Sequence, residues 1–276
     1  MAHYPLAVAI LTLNEKSDLP ACLESVTNLR CPIFVVDSNS DDGTQEIATK
    51  MGAQVITFTW SGKYPKKKQW TLEKLGSEFE WILLLDADER VSAQLCIEIK
   101  VLLSSKEKIE GTTAFQVQLD YVFQGRILKH GIKANKQILF KANGVRFPEI
   151  DDLAVSRMWE VEGHYQPSSL GKVQYLSSNL LHNDTGNLFE YISRHNRYSD
   201  WEAYVLSHDS VKQQVNLEKS FGAQIFAAIP FKGLAIFIFS YFLKLGFLDG
   251  RAGFDFSIHR MFYQWQIKAK SLRNDY

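Results

Sequence analysis

Two aspartates one residue apart, Asp86 and Asp88, close an apolar run, Trp81-Ile82-Leu83-Leu84-Leu85, with Ala87 between them and Glu89 behind. Carboxylates at i and i+2 around a small residue can reach one hard cation. Mg2+ or Mn2+ held that way keeps coordination positions for water and for substrate phosphate oxygens. The stretch therefore proposes a metal–diphosphate site. Its plainer use is a strand that runs into a helix N-terminus with acids in the first turn.

The elements around it separate these uses. An apolar run of five reads as a buried strand of a parallel sheet, with the acids just past its C-terminal end. Residues 6–13 form a similar run closed by Asn14-Glu15, and residues 33–36 one closed by Asp37 and the polar turn Ser38-Asn39-Ser40-Asp41-Asp42-Gly43-Thr44. Residues 55–58 give another strand. Leu19, Cys22, Leu23, Val26 and Leu29 recur as on one helix face, and residues 44–51 and 69–75 also read as helical. A basic loop, 60–69, carries Lys63, Lys66, Lys67 and Lys68. Strand–helix alternation predicts a doubly wound, mostly parallel sheet with helices on both faces, and ligands bind outside its strand C-termini. That crevice is lined by Asn14, Glu15, Asp37, Asp41, Asp42, Asp86 and Asp88. It is too acidic for a bare phosphate. It suits a nucleotide whose base and ribose donate hydrogen bonds and whose diphosphate arrives with a divalent metal. Asp37 and Asp42 can equally serve turn formation and capping. No Gly-x-Gly-x-x-Gly follows the first strand and no P-loop occurs.

Composition narrows the class. The chain has 276 residues, 46% hydrophobic and 22% charged, which suffices for a large core. Formal net charge is zero, so no nucleic-acid partner is expected. Cys22, Cys31 and Cys96 form no CxxC pair, which fits a reducing compartment. The N-terminus lacks a basic n-region and a long apolar h-region, so no signal peptide is expected.

Leu11-Thr12-Leu13-Asn14-Glu15, then Val35-Val36-Asp37-Ser38-Asn39-Ser40-Asp41-Asp42-Gly43-Thr44, then Leu85-Asp86-Ala87-Asp88-Glu89 resembles a family 2 glycosyltransferase of GT-A (Rossmann-like) fold. The closer resemblance is to bacterial lipopolysaccharide-core and capsule beta-glucosyltransferases. It implies a nucleotide-sugar site at Leu13, Glu15, Asp37, Ser40, Lys68, Asp86, Ala87 and Asp88. Asp37 would accept the base N–H of a uridine, Glu15 would lie near the ribose, and Asp88, with Asp86, would hold Mn2+ or Mg2+. Lys68 matches a family lysine only in part, because the run here is Lys67-Lys68-Gln69. The first Arg of the family's Arg-Leu-Phe-Arg is missing at 137–141. Phe123-Gln124-Gly125-Arg126 and Leu128-Lys129-His130-Gly131 also resemble family segments.

Inverting transfer needs a carboxylate to take the acceptor's hydroxyl proton. Glu160, in Arg157-Met158-Trp159-Glu160-Val161-Glu162, matches the family's base, with Trp159 in place of its His. Asp151, Asp152 and Glu162 compete, and strand alternation would put Glu160 and Glu162 on one face. Trp159 and His164 are candidates for the sugar pocket, and His182 for a diphosphate or metal contact.

The last third is rich in aromatics. Residues 191–205 resemble the family's Asn-x-Tyr-Ser-x-x-x-Ala helix, and 245–254 another family motif whose glycines suggest a tight turn. Residues 221–243 are apolar around Pro230 and Lys232, and 259–273 read as a basic, aromatic amphipathic helix. The expected layout is a GT-A domain over 1–205 and interfacial helices over 206–276. These would attach the enzyme peripherally to the anionic cytoplasmic face of the inner membrane, or form a homo-oligomer interface. The expected partners are a UDP-sugar donor and a lipid-linked or glycan acceptor. The rival readings are a nucleotidyltransferase and a non-catalytic sugar-nucleotide-binding assembly protein.

Overall fold

The computed structural model describes residues 6–155, 157–162, 166–216 and 231–276. In chain order its elements are β1 (Leu6–Thr12), α1 (Leu19–Val26), β2 (Ile33–Asp37), α2 (Thr44–Lys50), β3 (Gln54–Thr57), α3 (Lys67–Leu75), β4 (Trp81–Asp86), β5 (Glu89–Val91), α4 (Ala93–Leu103), α5 (Lys106–Ile109) and β6 (Thr112–Phe123). They continue with β7 (Arg126–Ile127), β8 (Asn135–Lys141), β9 (Val145–Arg146), β10 (Ser168–Ser169), β11 (Lys172–Tyr175), β12 (Leu180–His182), α6 (Leu188–Ser207), α7 (Asp209–Asn216), α8 (Lys232–Ile238) and α9 (Gly250–Arg273). The chain forms two compact units. One comprises 1–121, 134–148 and 160–185, and the other 122–133, 149–159 and 186–276. The expected division at 205/206 shifts accordingly, because α6 packs along α9 and joins the C-terminal helices.

The first unit holds a sheet in the order β3-β2-β1-β4-β8-β6-β12-β5. Strands β1 to β4 are parallel, β8 lies antiparallel between β4 and β6, and β12 runs parallel to β6 and antiparallel to β5. Every residue of β1 is buried. Leu6, Val8, Ile10, Trp81, Leu83 and Leu85 share one core cluster with Leu19, Leu23 and Val26 of α1 and Leu95 and Ile99 of α4. Their alternates Ala7, Ala9, Leu11, Ile82 and Leu84 point to the other face and are buried too. A strand apolar on both faces must be covered on both. This is the α/β, GT-A architecture expected. Parallel β1, β2 and β4 all end at one rim, which brings Asn14, Asp37 and Asp86 together.

In the second unit, the side chain of Asn187 accepts the N–H of Glu190, and Glu190 returns the contact to the N–H of Asn187, a capping box that starts α6. Lys270 of α9 donates to the Asn196 carbonyl, the Ser199 hydroxyl and the Asp200 carboxylate of α6. The Asn-x-Tyr-Ser segment is thus the receptor for one lysine. The glycine motif has an equally local cause. A Cβ on Gly253 would lie 2.0 Å from the Gly246 carbonyl oxygen, and Gly250 has φ +64°. The start of α9 therefore lies directly against the 3-10 turn Gly246–Asp249. Asp249, buried, accepts the N–H groups of Lys129 and His130 and pairs with the His130 ring, and Gly131 donates to the Lys244 carbonyl. The His-Gly and glycine-rich segments are one interlocked structure. The last helix begins at Gly250, nine residues before the expected 259, because these glycines serve contact rather than a break. Residues 221–230 lie outside the described residues.

Candidate active site

Asp37 ends β2 with no exposed surface. It accepts from Thr12 Oγ1 (2.8 Å), the Ser40 N–H (2.8 Å) and hydroxyl, and Gln45 Nε2 (2.6 Å). Burial alone would push its carboxyl up, but these four donors outweigh it and hold Asp37 below the usual carboxylate range. They fill the roughly four lone-pair sites a carboxylate offers. Direct acceptance of a base N–H therefore requires one donor to leave. Among these donors Gln45 Nε2 is the one carried on α2. Ser40 also receives the Asn14 N–H, which docks the turn after β2 onto the turn after β1. Asp42 caps rather than binds. Its carboxylate accepts from the Thr44 N–H and hydroxyl and from the Lys16 N–H. Glu15 donates its N–H to Thr44 Oγ1, and Leu13 is exposed at the rim.

The Asp-x-Asp turn is governed by a residue that sequence reasoning did not single out. Lys136 Nζ lies 2.5 Å from Asp86 Oδ2 and 2.7 Å from Glu89 Oε1. The β4–β8 register explains it. Leu83 pairs with Leu139, so the antiparallel ladder, continued, sets residue 136 opposite 86. Glu89 is itself fixed, because its Oε2 accepts the Asp86 N–H. Burial would raise Asp86, but Lys136 and then Lys68 hold it well below the carboxylate range. Glu89, buried more deeply, is pushed up. The two acids in turn raise Lys136 against its burial. Asp86 Oδ2 therefore already has a cation, which leaves only its other carboxylate oxygen open to a metal. Ala87 is buried, and its carbonyl accepts Arg90 Nη1 while Arg90 Nη2 reaches Asp18 (2.9 Å).

Asp88 differs. The β12–β5 register sets His182 against Glu89 and brings its Nδ1 to 3.4 Å from Asp88 Oδ1. Both atoms are buried and neither has a hydrogen-bond partner. Burial pulls the His182 ring down, but Asp88 outweighs it and raises the group to about 9. Ser38 Oγ and Gln137 Oε1 are likewise buried without partners. Buried polar atoms are rarely left unpaired, and a missing ligand is one cause. The carboxylate oxygen suits Mn2+ or Mg2+, and the imidazole nitrogen aimed at it could join on Mn2+ once it sheds its proton.

The two lysines of the Lys67-Lys68-Gln69 run sit in different settings. Lys67 is the buried one, with Nζ 2.6 Å from the Thr12 carbonyl. Burial lowers it to about 8, opposed by Glu160, Asp37, Asp86 and Glu15. Lys68 lines a hollow with Asp86, Lys136, Gln137 and Gln166.

Residues 160–162 form no strand, so alternation does not pair Glu160 with Glu162. Glu162 is buried and accepts the N–H groups of Lys68 (2.7 Å) and Gln69 (2.9 Å). It satisfies the first turn of α3 from a distance, since the N-cap, Lys66, has no capping side chain. That occupation removes it from the base candidates. Asp152, buried, accepts Trp201 Nε1. Glu160 is half-buried, and its carbonyl accepts the Lys67 N–H (2.8 Å). Trp159 packs against Tyr198 with Arg197 over its ring, a core role within the second unit. His164 lies outside the described residues.

The sequence model of glycosyl transferase family 2 matches residues 7–148. An uncharacterized glycosyltransferase of Rickettsia prowazekii is 26% identical over 273 residues, 96% of this chain and 86% of that one. The lipopolysaccharide core biosynthesis glycosyltransferase LpsC of Rhizobium meliloti is 35% identical over 113 residues, 39% of this chain and 40% of that one. Glucosyl-3-phosphoglycerate synthase from Mycobacterium tuberculosis, solved with Mn2+, uridine diphosphate and glucosyl-3-phosphoglycerate, superposes with a TM-score of 0.43 at 15% identity, over 73% of this chain and 78% of that one.

Proposed function

Because the chain belongs to glycosyl transferase family 2, we propose that it moves a hexose from a UDP-sugar, with inversion, to a hydroxyl of a lipid-linked or lipopolysaccharide-core glycan. The observation that carries this reading is the buried, unpartnered pair Asp88 Oδ1 and His182 Nδ1 beside the parallel-strand rim. These two residues would hold Mn2+ or Mg2+, with Asp86's outward oxygen nearby, and the metal would neutralise the diphosphate leaving group.

The chain's own residues do the rest. The turns carrying Asn14, Ser40 and Asp37 form the floor for base and ribose, with Gln45 yielding its place on Asp37 to the base N–H. Lys68 stands at the mouth of the hollow, where its charge favours diphosphate. Glu160 takes the acceptor's proton as that oxygen bonds to the anomeric carbon and the bond to the diphosphate oxygen breaks. LpsC, similar over its matched segment, supports a lipopolysaccharide-type acceptor. Such an acceptor would place the enzyme peripherally at the cytoplasmic face of the membrane.

Family membership disfavours the nucleotidyltransferase reading. The non-catalytic reading is separated by experiment. Purified chain given UDP-sugars and Mn2+ should release UDP, and Asp88→Ala should release none. Release unchanged by Asp88→Ala would overturn the assignment.

A further inference from the structure

The geometry points to an anionic lipid bilayer as the partner of one face of the second unit, with α9 lying in the plane of the membrane interface. This deepens the proposed function only by placing a lipid-borne acceptor at that surface; its evidence is independent of the donor site.

Helix α9 has two distinct faces. One is committed to α6: Tyr263 bonds Glu202, Gln266 bonds Asn196, and Lys270 bonds Asp200. About a third of a turn around the helix, Phe254, Ile258, Phe262, Trp265, Ala269 and Leu272 follow one another at steps of four, four, three, four and three. Those steps keep them on one stripe along ~27 Å of helix. The stripe is not a core face. Phe254 is 38% exposed, Phe262 42%, Trp265 60% and Leu272 72%. Phe262 and Trp265 stack on each other rather than on another element. The neighbouring arm adds to it. Helix α8 packs on α9 through Gly233, which meets the Met261 backbone, and Phe237 meets Phe254. Leu234, Ile238, Phe242 and Leu243 of that arm are exposed.

Charge selects the occupant. Residues 231–273 carry seven Lys or Arg and two acids. Of the acids, Asp249 is buried on His130, and Asp255 is bound by Arg251. Lys268 and Arg273 lie exposed beside the stripe, where long basic side chains reach phosphate headgroups while apolar ones enter the acyl boundary. A second copy of this face would bring like charges together. No single helix among the described residues is long and apolar enough to cross a membrane. The arm 232–243 meets 246–273 at a bend of 73°. The polar attachments of α9 to α6 could not be surrounded by hydrocarbon. An in-plane, half-immersed helix satisfies both constraints.

The test is sedimentation of the full chain with phosphatidylglycerol-containing and pure phosphatidylcholine vesicles. Binding should require the anionic lipid and weaken at high salt. Lys268→Glu with Arg273→Glu should cut binding at least about tenfold, and so should Phe262→Ser with Trp265→Ser. Brominated lipid should quench a part of the emission that Trp265→Phe removes. Metal-dependent UDP release without vesicles should stay unchanged in all four substitutions, which separates this inference from the activity. Absence of wild-type binding, or binding indifferent to both double variants, would overturn it. So would a vesicle-free dimer that the Phe262→Ser, Trp265→Ser variant dissolves.

Discussion

The two units use buried polar groups in opposite ways. In the first, four carboxylates are met from within: Asp37 by four donors, Asp86 and Glu89 by Lys136, and Glu162 by the start of α3. Asp88 Oδ1 and His182 Nδ1, 3.4 Å apart and buried, face each other without a hydrogen bond. In the second, polar contacts lock helices to each other while a row of large apolar side chains on α9, Phe254, Phe262, Trp265 and Leu272, is left exposed. The contrast teaches where each unit has its unmet demand. At the rim it is the buried Asp88–His182 pair, and in the helical unit it is the exposed apolar stripe of α9.

The sharpest way to break the comparison is at Asp88. Asp88→Ala should reduce UDP release by ~10³-fold or more, since metal stabilisation of a leaving group is worth several kcal/mol. It should lower the melting temperature only in part, because Asp88 Oδ1 makes no hydrogen bond to lose but its ion pair with His182, 3.4 Å away, goes with it. A melt that collapses with the activity would make the acid structural. Glu160→Gln should keep UDP affinity, measured by calorimetry, while turnover falls ~10²–10⁴-fold, the usual range for removing a general base. Unchanged turnover would move the base elsewhere.

Lys136→Met tests the saturated side of the rim. Removing one partner of a buried ion pair costs about 3–5 kcal/mol, and the lower figure applies because Asp86 is 40% exposed. Stability by chemical denaturation should therefore fall by ~3 kcal/mol, with added Mn2+ restoring part of it by occupying the acids. Gly253→Ala is its counterpart in the helical unit. A Cβ 2.0 Å from a carbonyl cannot be accommodated in place, so the motif must open, costing about 1–3 kcal/mol as overpacking does. UDP binding should survive it, and loss of UDP binding would show that the units are not independent.

The sequence made the rim legible for a physical reason. Parallel strands buried on both faces are continuous apolar runs, and each run here ends in a polar residue, so Asn14, Asp37 and Asp86 could be aligned without a structure. Lys136 could not, since its place depends on β8 entering antiparallel between β4 and β6, a long-range pairing with no periodic trace. Glu162 was misread as strand because alternation in 157–165 is local, whereas its partners, the Lys68 and Gln69 amides, are over ninety residues away. The start of α9 was misplaced because glycines that permit contact look, in one dimension, like glycines that break a helix.

The smallest effect sharpens the comparison from the helical side. His259 of α9 sits among aromatic rings, 4.7 Å from Tyr191 and 4.6 Å from His195 between centroids, with Nε2 buried and unpartnered. Burial first, and then the Arg260 charge, lower it to about 4. A histidine whose folded value is depressed binds fewer protons folded than unfolded. Its neutral form is therefore compatible with the fold above the unfolded value of ~6.5, and stability is lost as pH falls from there toward 4. The melting temperature should decline over that window in the wild type and decline less in His259→Phe, which keeps the ring stacking and removes the titration. Unlike His182, raised by a carboxylate at the rim, His259 has no acid beside it among the described residues, so an equal decline in both proteins would mean that the helical unit tolerates the buried charge.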